Sequence, residues 1–187
     1  MKKGISLLLV FMMAALVCCA AAEETAYGTL DWRTAGAGYA GEKAEGGFVL
    51  LTEVGMKIWV PDRLARLKTE PPTVCAFSDD AYTLGFSAFL EDLPEEVPAG
   101  DRAALISYIA AFAADEGSAE GVLVNGLFCV MYTMGAGEQQ GVTFFAENGQ
   151  MLTCVFDTLG ETESENNTLI RLMCASMMPL DADTGEE

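Results

Sequence analysis

The chain has 187 residues, and 28 Asp and Glu against 10 Lys and Arg give it a formal net charge of −18. Such a surface repels phosphate backbones and anionic lipid, which argues against nucleic acid as a partner. It contains no histidine, so Ser-His-Asp and Cys-His catalysis and the commonest transition-metal ligand are excluded within the chain.

Met1 to Ala22 has the three parts of a secretory signal: a basic start at Lys2 and Lys3, an apolar run from Ile5 to Val17, and small residues at Ala20 to Ala22 before Glu23. The apolar run is shorter than the roughly 20 residues that a transmembrane helix needs. Leu16-Val17-Cys18-Cys19 also resembles a lipoprotein box with Cys19 as the lipidated residue, although Cys18 stands where a small residue is usual. Two processing routes follow, cleavage before Glu23 or lipidation at Cys19, and in either case the chain is exported. The two leader lysines are then lost, leaving eight basic residues.

Glu23 to Gly47 is acidic, rich in Gly and Ala and without a sustained period, and it reads as a tether. Gly36 to Gly41 matches G-x-G-x-x-G letter for letter. A dinucleotide site needs a strand before that motif and a helix after it, and neither is present in the pattern. No cofactor is implied.

Order begins at Phe48. Phe48 to Glu53 and Met56 to Val60 alternate as two strands around a turn at Val54-Gly55, with Met56, Ile58 and Val60 set against Lys57 and Trp59. Pro61 ends the second strand, because proline lacks the ladder donor. Arg63, Arg66 and Lys68 follow close behind, a basic cluster in a very acidic chain. Lys57, Trp59, Arg63 and Arg66 are therefore the candidate ligand-binding residues. Thr73 to Ser78 reads as a strand and Ser78 to Ala81 as a turn, and Tyr82 to Leu90 is the cleanest period-two run. Asp101 caps a helix to Glu116, with an apolar stripe at Ala104, Leu105, Tyr108, Ile109 and Phe112. Two hairpins follow, turning at Asn125-Gly126 and Asn148-Gly149. Asn167 to Met178 reads as a final helix, Pro179 stops it, and 181–187 is an acidic tail.

The domain keeps Cys75, Cys129, Cys154 and Cys174, with no C-x-x-C among them. Their apolar surroundings suit buried thiols. Export also permits disulfides, and Cys129 with Cys154 is the candidate pair. Paired carboxylates can hydrolyse glycosides, and Glu91, Asp92, Glu95 and Glu96 in one loop and Glu161, Glu163 and Glu165 in another are the available groups. Nothing in their spacing selects an acid and a base. Asp181-x-Asp183 begins like a calcium loop, but too few residues follow to complete one.

Gly55 to Asp62, the helix at 101–116, Val124-Asn125-Gly126 before a strand, and a final helix ending in Met177-Met178-Pro179 together resemble a PsbP-like domain. The resemblance covers 48–180. It implies an α+β sandwich, an antiparallel sheet of about six to seven strands with helices on its faces, and no catalytic or metal residues. The expectation is a leader at 1–22, a tether at 23–47, one domain at 48–180 and a tail at 181–187. Its function is that of an exported, non-catalytic binding or envelope-associated module. Its partner is an envelope or extracellular protein or a small molecule, and it meets a membrane only through a lipid anchor. A carboxylate-based hydrolase and a small-molecule or cation carrier are the alternatives.

Overall fold

The computed structural model describes residues 27–35, 45–113, 117–134, 139–146, 148–158 and 163–184. The leader with Cys19, the G-x-G-x-x-G stretch and Glu161 lie outside them.

The described strands form two sheets. The larger has eight strands in the order β1-β7-β8-β9-β10-β6-β5-β4. These are β1 (Gly28–Leu30), β4 (Ala65–Arg66), β5 (Thr73–Ser78), β6 (Leu84–Asp92), β7 (Ala119–Val124), β8 (Leu127–Met134), β9 (Gln139–Phe145) and β10 (Gln150–Thr158). All neighbours are antiparallel except β1 and β7, which run parallel with Gly28 beside Val122. The smaller sheet is β11-β3-β2, formed by β2 (Gly46–Leu51), β3 (Met56–Pro61) and β11 (Met178–Pro179). Three helices accompany them: α1 (Trp32–Ala35), α2 (Arg102–Phe112) and α3 (Glu163–Ser176).

The layers follow from alternation. Leu84, Phe86 and Ala88 of β6, Cys129 of β8, Val142 and Phe144 of β9, and Leu152, Cys154 and Phe156 of β10 point to one face. There they meet Ile170, Leu172, Met173 and Cys174 of α3 and Ile58 and Val60 of β3. Val130 and Tyr132 face the other way and meet Ile109 of α2 and Ala113 just beyond it. The large sheet is thus covered by α2 on one side, and by α3 with the small sheet on the other. Asp101 caps α2 as its sequence predicts, accepting from the amides of Ala103 and Ala104. The predicted stripe is only partly used: Leu105 and Ile109 are buried, while Phe112 stays 59% exposed.

The α+β sandwich expected from the sequence is present, with three differences. The hairpin β2–β3 does not open the sheet that the later hairpins extend; it belongs to the separate three-stranded sheet. The large sheet has eight strands in place of six to seven because β1 and β4 are only three and two residues long, too short to leave a period. And residues 28–35, inside a tether whose Trp32 the sequence leaves able to dock on the domain, are part of the fold: β1 pairs with β7, and Trp32 is 1% exposed.

One residue ties these pieces together. Asn125 turns β7 into β8 with φ +47°, followed by Gly126 at +82°, as expected for a two-residue hairpin turn. Its side-chain oxygen accepts from the Trp32 amide at 3.0 Å. Its side-chain nitrogen donates to the carbonyls of Ala175 at 2.7 Å and Met177 at 2.8 Å. Its own amide donates to Leu30 at 2.9 Å. The Asn125→Gly variant keeps the turn and deletes the three side-chain bonds. At about 1 kcal/mol net each, it should lose roughly 2–4 kcal/mol in a denaturant titration, and a loss below about 0.5 kcal/mol would show that the amide does not join these elements.

Candidate functional site

Lys57 and Trp59 share one face of β3, opposite Leu50 and Phe48 of β2. The sequence sets them against Met56, Ile58 and Val60 as candidate ligand-binding residues, and in the structure their face is closed. Trp59 is 1% and Lys57 9% exposed. Trp32 of α1 packs edge-on to Phe48 at 5.6 Å and tilted against Trp59 at 6.0 Å. The Lys57 ammonium lies over the Phe48 ring at 5.5 Å and donates to the carbonyl of Ala182. The Trp59 indole also crosses Gly46, where a Cβ would come within 2.5 Å of the ring. Both side chains hold the small sheet to α1 and to the turn at Ala182.

Arg63 stands apart from them, at the rim of a cavity of about 560 Å³ with Glu45, Asp62, Glu165 and Thr168. It bonds the Asn166 side-chain oxygen at 2.5 Å and meets Glu165 at 3.3 Å. Asn166 is fully buried and donates to the Thr83 carbonyl at 2.9 Å, so this first asparagine of an Asn-Asn-Thr sequon is not open to glycosylation in the folded chain. Thr83 in turn donates through its amide to Asp79 at 2.7 Å. Burial pushes the Asp79 carboxyl up, but the Thr83 hydroxyl and amide, with Arg63 beyond, outweigh it and hold it below its ordinary value. Arg63 therefore clamps the β5–β6 turn to α3. Arg66 is elsewhere again, on the edge strand β4 with its guanidinium 6.0 Å from the Phe77 ring. The four candidate residues do not converge on one site.

The four cysteines are free and buried. Cys129 and Cys154 are not bonded, because β9 runs between their strands: Cys129 pairs with Phe144 and Cys154 with Val142. Two strand spacings, about 9.6 Å, already exceed the roughly 7 Å Cα separation that a disulfide tolerates. Burial pushes the thiols up, to about 11 at Cys75 and about 12 at Cys129, and well above the ordinary thiol value at Cys154 and Cys174. These are poor nucleophiles. Among the described residues no group of three or more Cys, Asp or Glu could hold a metal ion. Glu91 and Asp92 end β6, Glu95 and Glu96 follow in its loop, and Glu163 and Glu165 lie on α3.

The cleft that the sequence did not reveal is at the end of the large sheet where β8 and β10 begin and β6 and β9 end. It holds about 590 Å³. Met56, Leu90, Leu105, Phe128, Phe144 and Leu152 line it, with Glu53, Asn148 and Gln150 among its polar groups. Its cation is Arg102, the first residue of α2. That guanidinium rests over the rings of Phe128 at 5.0 Å and Tyr27 at 5.3 Å, and among the described residues it meets no carboxylate. In the sequence, Arg102 reads only as the residue after a cap. Its aromatic seats lie 26 residues ahead of it and 75 behind, and no local pattern links them.

No protein-family profile matches the chain, and no curated protein matches it. The resemblance read from its residues is met again among solved structures. The chain is similar to cyanobacterial PsbP (CyanoP) from Synechocystis sp. PCC 6803, with 13% identity and a TM-score of 0.48 over 73% of this chain and 93% of that one. It is similar to the Ran-binding protein Mog1p of Saccharomyces cerevisiae, with 10% identity and a TM-score of 0.47 over 73% and 96%. A protein from Bacteroides thetaiotaomicron matches at 12% identity and a TM-score of 0.48 over 76% of this chain and 50% of its own.

The thiols give a direct check. The 23–187 chain should resist a thiol reagent at pH 8 while folded, and show four reactive thiols once unfolded without reductant. Two would restore the Cys129–Cys154 bond. The pH dependence has a fixed sign. Above the ordinary thiol value of 9.0 the unfolded chain releases protons that the fold retains up to about 11 at Cys75 and about 12 at Cys129. Their contribution to stability is full below pH 9 and falls as pH rises through that window.

Proposed function

We propose that the chain is an exported, non-catalytic binding module that takes a small amphiphile, an apolar body with an anionic head, in the Arg102 cleft. The observation that carries this reading is a cleft of about 590 Å³ lined by aliphatic and aromatic side chains, with a guanidinium seated on two aromatic rings and in no ion pair among the described residues. Ligand sites have this size and this balance of apolar lining and few polar groups. A guanidinium seated on aromatic faces keeps its edge free for a carboxylate. In a chain of net charge −18, the one cation among the cleft's described lining residues, set among mostly apolar side chains with Glu53 beside them, attracts an anion at that point while the rest of the surface repels it. The hydrolase alternative has less support. The thiols are buried, and the acidic residues stand on exposed loop and helix positions, with Glu95, Glu96 and Glu165 all exposed.

The test is a titration of the 23–187 chain with dodecanoate, followed by intrinsic fluorescence and melting temperature. Dodecanoate should bind and raise the melting temperature, since a ligand of the native state alone stabilises it. Dodecylamine should bind at least tenfold more weakly. Arg102→Glu should cost dodecanoate at least tenfold, about 1.4 kcal/mol, with the melting temperature of the free protein unchanged. Equal binding of the amine, or no binding of either, would overturn the reading. Export is read from the mass of the chain recovered from its host: a start at Glu23 or an acylated Cys19 supports it, and an intact Met1 contradicts it.

A further inference from the structure

The edges of the two sheets are finished in two ways. Four described strands lie at edges, and three are stubs: β1 has three residues, β4 two and β11 two. Stub edges are a common protection against unwanted pairing. The fourth, β2, runs six residues, Gly-Gly-Phe-Val-Leu-Leu, without a charge, a proline or a bulge.

The register shows which of its backbone groups are open. The Asp62 amide donates to Glu45 at 2.8 Å, so Glu45 and Asp62 are a hydrogen-bonded pair. In an antiparallel ladder such pairs alternate with unbonded ones. Gly47, Val49 and Leu51 therefore bond β3, while the amides and carbonyls of Gly46, Phe48 and Leu50 face away from it. Three observations on β3 agree. Pro61, opposite Gly46, has no amide hydrogen to offer. The Trp59 amide, opposite Phe48, donates to the Ser176 hydroxyl at 2.8 Å on the other side. Lys57, opposite Leu50, pairs with Met178 of β11. Among the described residues, three donors and three acceptors are thus left along the outer side of β2. An arriving strand would meet Leu50, 57% exposed, and the half-buried Phe48 on one face, and the half-buried Val49 on the other.

We propose that β2 is a docking edge for an extended segment of another protein, which adds as a fourth strand to the small sheet. Its charge follows from what brackets the edge. Glu45 precedes β2 and shares its cavity with Asp62, Glu165 and the Arg63 that pairs with Glu165, which leaves Glu45 and Asp62 in excess there, and Glu53 follows β2. The fitting segment is apolar at alternate positions, with Lys or Arg at both ends, about seven residues apart given a rise of about 3.3 Å per residue. A second copy of this chain fits poorly, because it brings the same carboxylates and the same net charge of −18.

The probe is a fluorescent peptide, Lys-Thr-Val-Thr-Val-Thr-Val-Lys, titrated into the 23–187 chain and read by anisotropy. It should bind, and three changes should each weaken it at least tenfold: N-methylation of its alternate inward amides, replacement of its terminal lysines by glutamate, and Leu50→Pro in the protein. Proline at position 50 removes an outward amide and leaves the pairing with β3 intact. Leu50→Lys, which keeps every backbone donor and repels the basic probe, serves if the proline variant melts early. Undiminished binding of the N-methylated peptide overturns the proposal. So does a probe that fails to bind. Sedimentation that finds a dimer of the free chain, abolished by Leu50→Pro, overturns the choice of a foreign strand. Dodecanoate binding reads the Arg102 cleft separately and is expected unchanged in both Leu50 variants.

Discussion

Asn125 holds the two ends of the domain to its middle. A primary amide offers two donors and an acceptor, and this one spends them on the Trp32 amide and on the carbonyls of Ala175 and Met177. The consequences spread from there. Trp32 reaches the small sheet and packs on Phe48 and Trp59. The end of α3 is fixed beside β3, where the Ser176 hydroxyl takes the Trp59 amide and gives its own proton to Met173. The chain then continues into β11 and delivers the Ala182 carbonyl to Lys57. A buried ammonium needs such partners. Without the asparagine, the cover over Lys57 and Trp59 loses its anchor.

That dependence explains where the sequence could be read. Asn125-Gly126 declares its turn locally, because the signal is a backbone preference for positive φ. Its second role could not be seen, since the partners lie 93 and about 50 residues away. β3 shows the same division. The alternation of Met56, Ile58 and Val60 is visible, but the strand's other face is covered by Trp32 and Ala182, and a period of two does not say what lies opposite. Cys129 and Cys154 looked close because each sits beside a hairpin. The first strand of the second hairpin, β9, lies between β8 and β10, a fact of sheet order and not of spacing. The acidic stretch before Asn167 has the composition of a loop, yet α3 begins at Glu163, because helical spacing shows only where apolar residues recur. Arg63 and Arg66 are neighbours in sequence and go to different elements, one to α3 and one to a sheet edge.

The arrangement also separates two kinds of surface. The Arg102 cleft opens at one end of the large sheet, in apolar walls with a cation seated on aromatic rings. The outer edge of β2 belongs to the small sheet and carries unused backbone groups between carboxylates. One suits a small anionic amphiphile and the other a basic extended chain. Both lie on elements packed against the common core, so ligand and partner meet surfaces whose geometry is set before they arrive. The acidity of the rest of the chain sets off the Arg102 cleft and adds to the carboxylates that bracket β2.

A crystal structure with dodecanoate brominated at its terminal carbon reads most directly whether the Arg102 cleft is a ligand site. Anomalous scattering from the bromine is expected between Leu105 and Leu152, with the carboxylate within hydrogen-bond distance of the Arg102 guanidinium. A saturating soak that leaves the cleft empty, or places the bromine at another surface, would contradict it.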